Sequence, residues 1–279
     1  MDVDDEERQV LCMMIYKTDR HAVVEKELKT VSKQEQKLAI SAYRAHESTW
    51  RGKLTDKIPE GTIDGLEKAF CAGFSLIFRQ GRSILEKAVH KEDILRAFDA
   101  RDAAVRTCAT RRELKELYRA GRRANAVNCT LTAVEGVGLG MAGVGMPDIV
   151  LFLCNLLKGV YETALHYGYD YEDRYEQLIM LRMMATALSK GRDWTSGDRE
   201  VDTMMSRTGA AVEDAHFDAQ LKSTASAFAM DMLLLKFVQG LPLVGVIGGA
   251  ANPVYYRKVM DYVQLKYRKR YLMELKSKL

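Results

Sequence analysis

The sequence predicts an all-α protein, and three observations support that fold class. Hydrophobic residues recur mostly at the three- and four-residue spacing of helices, and no stretch alternates for long enough to predict a strand. Met, Leu, Ala, Lys, Arg and Glu, which favour helices, dominate the composition. Only four prolines occur in 279 residues, and no Ser-, Pro- or Gly-rich linker divides the chain. We therefore expect a single domain, residues 1–279, of roughly eight to ten helices.

The N-terminal residues 1–60 are predicted to form a helical extension to a core that covers residues 61–279. Ser32 and Glu35 form a capping box, so a first helix should end near residue 31 and a second should start there. Pro59 lies in a Pro-Glu-Gly breaker that ends the extension.

The core is predicted to contain eight further helices, which are separated by turn signals and polar runs. Pro147 suits a first helical turn because its missing N–H needs no partner there, and Asp148 complements the helix dipole. Gly168 can adopt the left-handed conformation that ends this helix. The polar run 191–200 is expected to be a loop. The predicted helices cover about 62–88, 91–107, 111–130, 147–167, 172–190, 199–214, 217–239 and 253–276.

Cysteine usage and the N-terminus both favour a cytoplasmic protein. The five cysteines are widely spaced and include no C-x-x-C pair, so neither a zinc site nor a disulfide framework is predicted. The acidic start of the chain lacks the basic and apolar regions of a secretory signal. We expect reduced thiols, no metal and no cofactor.

Charge is distributed unevenly, although the net charge is only +4. Residues 106–123 and 257–279 are strongly basic, which can draw a protein to an anionic surface but is also typical of a solvated helix face. Glu113 and Glu116 interrupt the first basic run at helical spacing, and no nucleic-acid motif accompanies it. Nucleic acid is therefore not a predicted partner.

Two apolar, glycine-rich segments lead into helices, one before Pro147 and one before Pro253. The run from Gly138 to Gly143 formally matches G-x-G-x-x-G, but no strand precedes it and no βαβ pattern surrounds it. A dinucleotide site is therefore not predicted, and a Walker loop is excluded because no G-K-[ST] follows.

Membrane insertion and close helix packing remain as interpretations of these segments. Residues 137–157 are nearly long enough to span a bilayer, and their Val, Leu, Ile and Phe residues favour insertion by roughly 3 to 6 kcal/mol. Asp148 costs about 3 kcal/mol and the glycines reduce the balance further, so the sum lies near zero. Small residues at helical spacing instead allow two backbones to approach closely, so the two segments are expected to meet near the centre of the domain.

Several short motifs, in this order and spacing, resemble the EcsC protein family over about residues 60–275. They are the glycine-rich segment that begins at Glu135, the Pro-Asp-Ile helix start at Pro147, the Tyr-Gly-Tyr-Asp sequence from Tyr167, and the run from Leu241 to Asn252. The resemblance implies a helical, mostly bacterial protein that is cytoplasmic or peripheral to the membrane. The name-giving member is encoded beside an ABC transporter, which makes a membrane transporter a candidate partner. The family supplies no catalytic residues.

Candidate catalytic chemistry rests on two acids and one histidine near the first glycine-rich segment. Burial of Glu135 and Asp148 in apolar surroundings is costly unless each carboxylate is paired or hydrogen-bonded. The functional interpretation is a paired-carboxylate or cation site completed by His166, and the structural one is a capped helix with a salt bridge to an arginine. No metal pair of histidines, H-E-x-x-H or G-x-S-x-G motif occurs.

The last helix is predicted to contact a surface, because tyrosines and bases flank its apolar stripe. The same pattern is compatible with a helix that packs on the core. The bases expected at a membrane surface are Arg257, Lys258, Lys266, Lys269 and Arg270.

The leading functional hypothesis is a non-enzymatic, membrane-peripheral protein that binds anionic lipid or another apolar small molecule. The alternatives are a hydrolase that uses Glu135, Asp148 and His166, and a scaffold for protein interactions. The residues expected to form the apolar site are Gly136, Gly140, Gly143, Asp148, Phe152, Gly245, Gly248, Asn252 and Tyr255.

Overall fold

Nine α-helices make up the regular structure in the part of the chain that the computed structural model describes, and this part contains no strand, which confirms the all-α class. The described residues are 5–47, 61–79, 89–108, 110–124, 146–207, 209, 211–238 and 252–279. The helices are α1 (Asp5–Glu47), α2 (Thr62–Arg79), α3 (Lys91–Cys108), α4 (Arg111–Ala124), α5 (Met146–His166), α6 (Arg174–Leu188), α7 (Gly191–Met205), α8 (Asp214–Val238) and α9 (Asn252–Lys278).

The core lies around α5, α6 and α9. Helix α6 packs against α7, α8 and α9, and α5 packs against α2, α3, α4 and α9. Leu178, Ile179 and Leu181 of α6 are at most 1% exposed, and most of its other side chains are also buried. A helix that is buried nearly all round must lie inside the domain. Helix α1 lies across the outside and packs against α7 and α9.

The predicted break at Ser32 is wrong, because α1 continues without interruption from Asp5 to Glu47. Val24 and Val31 are fully buried on one side of Ser32, and Leu38 packs against the same core on the other side. This apolar stripe keeps helical spacing across Ser32, and Glu35 is bound by lysines of α9. Tertiary packing therefore outweighs the local capping signal.

The predicted loop at 191–200 is also wrong, because this run forms the first turns of α7. Trp194 is 5% exposed and Val201 is fully buried, at helical spacing in a run that is otherwise mostly polar. Gly197 permits close contact with α6, since a Cβ there would lie 2.5 Å from the Thr186 hydroxyl oxygen. One narrow apolar stripe thus makes a helix of a mostly polar sequence.

The predicted end of the helix after Pro147 is confirmed. Helix α5 ends at His166, and Gly168 has a φ of +81°. A Cβ at Gly168 would lie 2.4 Å from the Phe98 ring, so glycine is needed for space as well as for conformation. The neighbouring Tyr167 and Tyr169 rings stack near Tyr267 of α9.

The glycine-rich stretches 125–145 and 239–251 lie outside the described residues, so the expected central contact between them stays a prediction. Among the described helices, none combines the length and the apolar composition that a bilayer span requires.

Candidate functional site

Helix α9 carries several of its bases on the inside of the protein, and Lys266 is the most buried of them. Its side chain is fully buried, and its ammonium lies 2.8 Å from Glu35, 2.6 Å from Asp198 and 2.8 Å from Asp202. Lys269 binds Glu35 at 2.9 Å and Asp202 at 2.8 Å. We call these five residues the inner ion cluster; it joins α1, α7 and α9.

The inner ion cluster supplies its own cation. Oxygens of Glu35, Asp198 and Asp202 lie close enough to one another to share a metal ion, but the Lys266 ammonium already contacts all three. Burial by itself would lower the pKa of Lys266, and the three carboxylates outweigh burial and raise that pKa. This geometry is that of a structural joint, in which the lysine stays charged and holds α1 to the core.

A second buried ion pair joins α9 to α6. Glu176 of α6 accepts hydrogen bonds from the Tyr267 hydroxyl at 2.7 Å and from Arg270 Nη1 at 2.8 Å. The Arg270 guanidinium lies 3.9 Å from the centre of the Tyr169 ring, whose hydroxyl donates to Glu274 at 3.0 Å. The segment just after α5 is thus held against Arg270 through Tyr169.

The prediction of a membrane-facing α9 is wrong for Lys266 and Arg270, which are 0% and 7% exposed. Lys269 is also ion-paired within the cluster, and Lys258 binds the Asp231 carboxylate at 2.9 Å. Arg257 is exposed. The reason is that α9 packs against α1, α5 and α6. Carboxylates of α1, α6, α7 and α8, which come from distant parts of the chain, bind its bases.

Phe152 and Tyr255, which were expected to line an apolar site, are core residues in the structure. The Phe152 ring packs edge-to-face on Phe228 with centroids 6.1 Å apart, and the Tyr255 hydroxyl donates to the Asp231 carbonyl at 2.8 Å. Asp148 and Asn252 lie in the first turns of α5 and α9, and their side chains fall outside the described residues. The remaining site residues also fall outside: Glu135, Gly136, Gly140, Gly143, Gly245 and Gly248.

His166 is the one member of the predicted catalytic set whose side chain is described. It lies at the end of α5, where burial and then the charge of Arg101 lower its pKa to about 4. Its Nδ1 atom is buried and has no hydrogen-bond partner among the described residues. The imidazole is therefore neutral near pH 7. The proposed set with Glu135 and Asp148 stays a prediction.

The outer face of α1 carries exposed bases at helical spacing. Between residues 26 and 44 the only two acids, Glu27 and Glu35, turn inward, where Arg268 and the lysines of α9 bind them. Ile40 and Tyr43 lie on the same outer surface and are 52% and 55% exposed. The exposed bases are Lys26, Lys29, Lys33, Lys37 and Arg44.

Helix α4 extends this basic surface. Leu114 and Leu117 anchor α4 in the core, so its opposite face is exposed to solvent. Arg111 Nε lies 3.5 Å from Glu27 Oε1, which links α4 to α1. The exposed bases of α4 are Arg111, Arg112, Lys115 and Arg119. We call the exposed bases of α1 and α4 together the outer basic face.

Sequence reasoning missed the α1 part of this face because it divided the helix at Ser32. Read as one helix, the bases at 26, 29, 33, 37 and 44 fall on a single stripe. The helical spacing of these bases on both sides of Ser32 was the signal in the sequence that could have revealed the stripe. The sequence does show that α4 is rich in basic residues. Which of them are exposed depends on the burial of Leu114 and Leu117, which the sequence does not give.

A groove of about 260 Å³ lies between the outer basic face and α9. Its walls come from α1, α4, α9 and the segment just after α5. Arg268 and Tyr118 line it together, with the guanidinium 4.0 Å from the ring centre. Lys37 lines the α1 side, and Asp261 is the one carboxylate among the described lining residues.

Comparison with known proteins gives one match. The model of the EcsC protein family matches residues 23–272, which is most of the chain and includes the part of α1 that forms the inner ion cluster. No curated protein and no solved structure matches this sequence. The matched segment also contains the motifs at Pro147 and Tyr167 from which the resemblance was inferred. The chain therefore belongs to the EcsC protein family.

Proposed function

We propose that the protein binds anionic membrane surfaces peripherally through the outer basic face, and that a lipid or another apolar molecule is its ligand. The observation that carries the proposal is the separation of charge on α1. Both acids between residues 26 and 44 are used inside the protein, so every exposed charged residue within that range of α1 is a base. Such a surface attracts anionic headgroups by about 1 kcal/mol per Lys or Arg.

Exposed apolar residues support a membrane as the partner in preference to a nucleic acid. Ile40 and Tyr43 lie among the bases of α1, where an aliphatic side chain and a tyrosine suit the headgroup region. In the sequence, the apolar and glycine-rich stretch 125–145 follows α4 directly. A basic surface next to apolar segments is typical of proteins that lie on a bilayer.

Co-sedimentation with vesicles tests this function. We expect the full chain to bind phosphatidylcholine vesicles that contain phosphatidylglycerol, to bind pure phosphatidylcholine far less, and to lose binding as salt is raised. The triple variant Arg112→Gln, Lys115→Gln, Arg119→Gln should bind on the order of 100-fold more weakly.

The matched control neutralises three exposed arginines elsewhere: Arg192→Gln, Arg199→Gln and Arg207→Gln. This control should bind like the parent chain. Equal losses in the two triple variants would mean that only total charge matters, and absence of binding to anionic vesicles would refute the proposed function.

A further inference from the structure

We propose that Ile40 and Tyr43 insert between lipid headgroups and make the protein select anionic membranes whose surface is loosely packed or strongly curved. The inference deepens the proposed function. It rests on the outer basic face for attraction to the membrane, and it adds the kind of membrane that is bound. The observations that carry it are the exposure of these two side chains, their position between bases of α1, and the direction in which α1 and α4 run.

Large exposed hydrophobic side chains are rare on the described surface. Ile40 and Tyr43 are 52% and 55% exposed, and the one other such side chain among the described residues is Met273 of α9. Because Ile40 and Tyr43 are three residues apart in α1, they are neighbours on one side of the helix. Scattered single apolar side chains are ordinary on protein surfaces. An adjacent pair within a basic surface instead matches the apolar component of an interfacial helix.

Bases lie on both sides of this apolar pair along α1. Lys37 precedes Ile40 by three residues, Arg44 follows it by four, and both bases are exposed. Long basic side chains at such positions extend toward phosphate groups while the apolar side chains beside them lie deeper. The apolar pair can therefore enter the boundary between headgroups and acyl chains without removing either charge from the headgroup level.

The directions of α1 and α4 place the apolar pair at one end of the outer basic face. Arg111, in the first turn of α4, reaches Glu27 of α1. Gly121, near the end of α4, borders the groove together with Lys37. The two helices therefore run in about the same direction, and the apolar pair lies beyond most of the bases, toward the end at which α4 stops. We expect the bases to bind headgroups and this end to enter between them.

The apolar pair is too small to hold the protein on a membrane by itself, so its effect is to discriminate between membranes. The protein already covers nearly half of each side chain, which limits the gain from insertion to about tenfold in affinity. The exposed bases of α1 and α4 contribute more than this. Insertion requires gaps between headgroups, which are frequent in curved bilayers with unsaturated chains and rare in flat, saturated ones. At equal surface charge, the gain is therefore expected only on loosely packed membranes.

Flotation of the full chain with two kinds of vesicle tests the inference. Small vesicles with unsaturated chains are compared with large vesicles with saturated chains, at the same phosphatidylglycerol content and the same salt concentration. The parent chain should bind the small vesicles about tenfold more tightly. The double variant Ile40→Ser, Tyr43→Ser should bind the two kinds about equally, because its charge is unchanged and its apolar pair is lost.

Two control variants separate insertion from charge and from general surface hydrophobicity. Met273→Ser removes the exposed hydrophobic side chain of α9 and should keep the preference for small vesicles. The triple variant Arg112→Gln, Lys115→Gln, Arg119→Gln should bind both kinds of vesicle more weakly and keep the ratio between them. Circular dichroism checks that each variant is folded. The double variant should fold like the parent chain, because serine has about the helix propensity of isoleucine and tyrosine.

The possible failures of the insertion inference and of the proposed function differ. Equal affinity of the parent chain for the two kinds of anionic vesicle would overturn the inference and leave the proposed function intact. A preference that persists in the double variant would have the same consequence. A preference that is lost in the double variant but needs no phosphatidylglycerol would keep the insertion and remove the attraction to anionic surfaces. Absence of binding to every vesicle would overturn both.

A second copy of the chain is the other partner that could cover the apolar pair. Size-exclusion chromatography distinguishes it from a membrane, and we expect the parent chain and the double variant to elute alike. A dimeric parent chain and a monomeric double variant would assign Ile40 and Tyr43 to a contact between two copies and overturn the inference.

Discussion

The bases of α9 and the bases of α1 belong to neighbouring helices, yet their surroundings differ completely. Lys266 and Arg270 of α9 are buried in ion pairs, whereas Lys29 and Lys33 of α1 are exposed. The difference comes from position in the fold: α9 packs against several helices, whereas α1 packs mainly against α7 and α9 in the part of the chain that the structure describes. Acids of both α1 and its neighbours are used to neutralise α9, which leaves the outer face of α1 basic. We infer that the inner bases stabilise the fold and the outer bases bind.

The largest expected effect is the loss of stability caused by Lys266→Met in the inner ion cluster. Removal of the ammonium leaves the carboxylates of Glu35, Asp198 and Asp202 close together. Among the described residues, Lys269 then remains to bind Glu35 and Asp202. We expect the free energy of unfolding to fall by about 3 to 5 kcal/mol. Urea denaturation followed by circular dichroism measures this change.

Lys33→Met on the outer face is the matched control, since it removes the same charge from an exposed position of α1. Its stability should stay within about 0.5 kcal/mol of the parent chain. Similar denaturation midpoints for the two variants would contradict the distinction between inner and outer bases.

The outer basic face is tested by the triple variant Lys26→Gln, Lys29→Gln, Lys33→Gln. Each lysine is exposed, so stability should change little, but affinity for anionic vesicles should fall by about 3 kcal/mol, or on the order of 100-fold. Vesicle co-sedimentation at low salt measures the loss. A variant that unfolds more easily yet binds normally would reverse the roles that we assign.

Gly168→Ala should destabilise the core of the protein without any change of charge. The residue has a φ of +81°, and its new Cβ would lie 2.4 Å from the Phe98 ring. A left-handed alanine costs about 1 to 2 kcal/mol and the clash adds more, so we expect a loss of about 3 kcal/mol. The contact of Tyr169 with Arg270 should loosen as a consequence.

Gly209→Ala separates the two causes, because Gly209 also has positive φ but, apart from its chain neighbours, no atom of the described residues lies within 4 Å of the new Cβ. It should cost only about 1 kcal/mol in the same thermal or chemical denaturation. Equal losses at the two glycines would show that the contact with Phe98 contributes nothing.

The smallest expected effect concerns the part of the pH dependence of stability that is due to His166. Its pKa is lowered from the ordinary 6.5 to about 4, so the neutral form is favoured in the folded state. The stability that it contributes is complete above the ordinary pKa and is lost as pH falls toward the folded value. Between pH 6 and pH 5 the loss should be about 1 kcal/mol. The free energy of unfolding of His166→Gln should not show this loss. Curves of stability against pH that run parallel for the variant and the parent chain would refute this role of His166.

Local signals in the sequence were sufficient for much of the fold. Pro147 starts and Gly168 ends α5 as predicted, and α3 covers Lys91–Cys108 where 91–107 was expected. Each of these features depends on residues within a turn or two. The continuity of α1 and the first turns of α7 were missed because they depend on packing against other helices, which a capping rule or a polarity count does not include.

The candidate site was less predictable for the same reason. The inner position of Lys266 follows from Glu35, which lies 231 residues away in the chain, and from Asp202, 64 residues away. Nothing near α9 in sequence indicates these partners. The outer stripe of α1 could have been found from periodicity, once the helix was treated as continuous. The groove could not, because Tyr118 and Arg268 come from separate helices.

The most direct test of the central claim is tryptophan fluorescence with vesicles that contain brominated lipid. Ile40→Trp places the probe within the outer basic face, and Ala219→Trp places it at an exposed position of α8, which packs mainly against α2 and α6. Relative to the parent chain with Trp50 and Trp194, we predict a blue shift and quenching for Ile40→Trp and no change for Ala219→Trp. Quenching of Ala219→Trp without that of Ile40→Trp would contradict the assignment of the outer basic face as the membrane-binding surface.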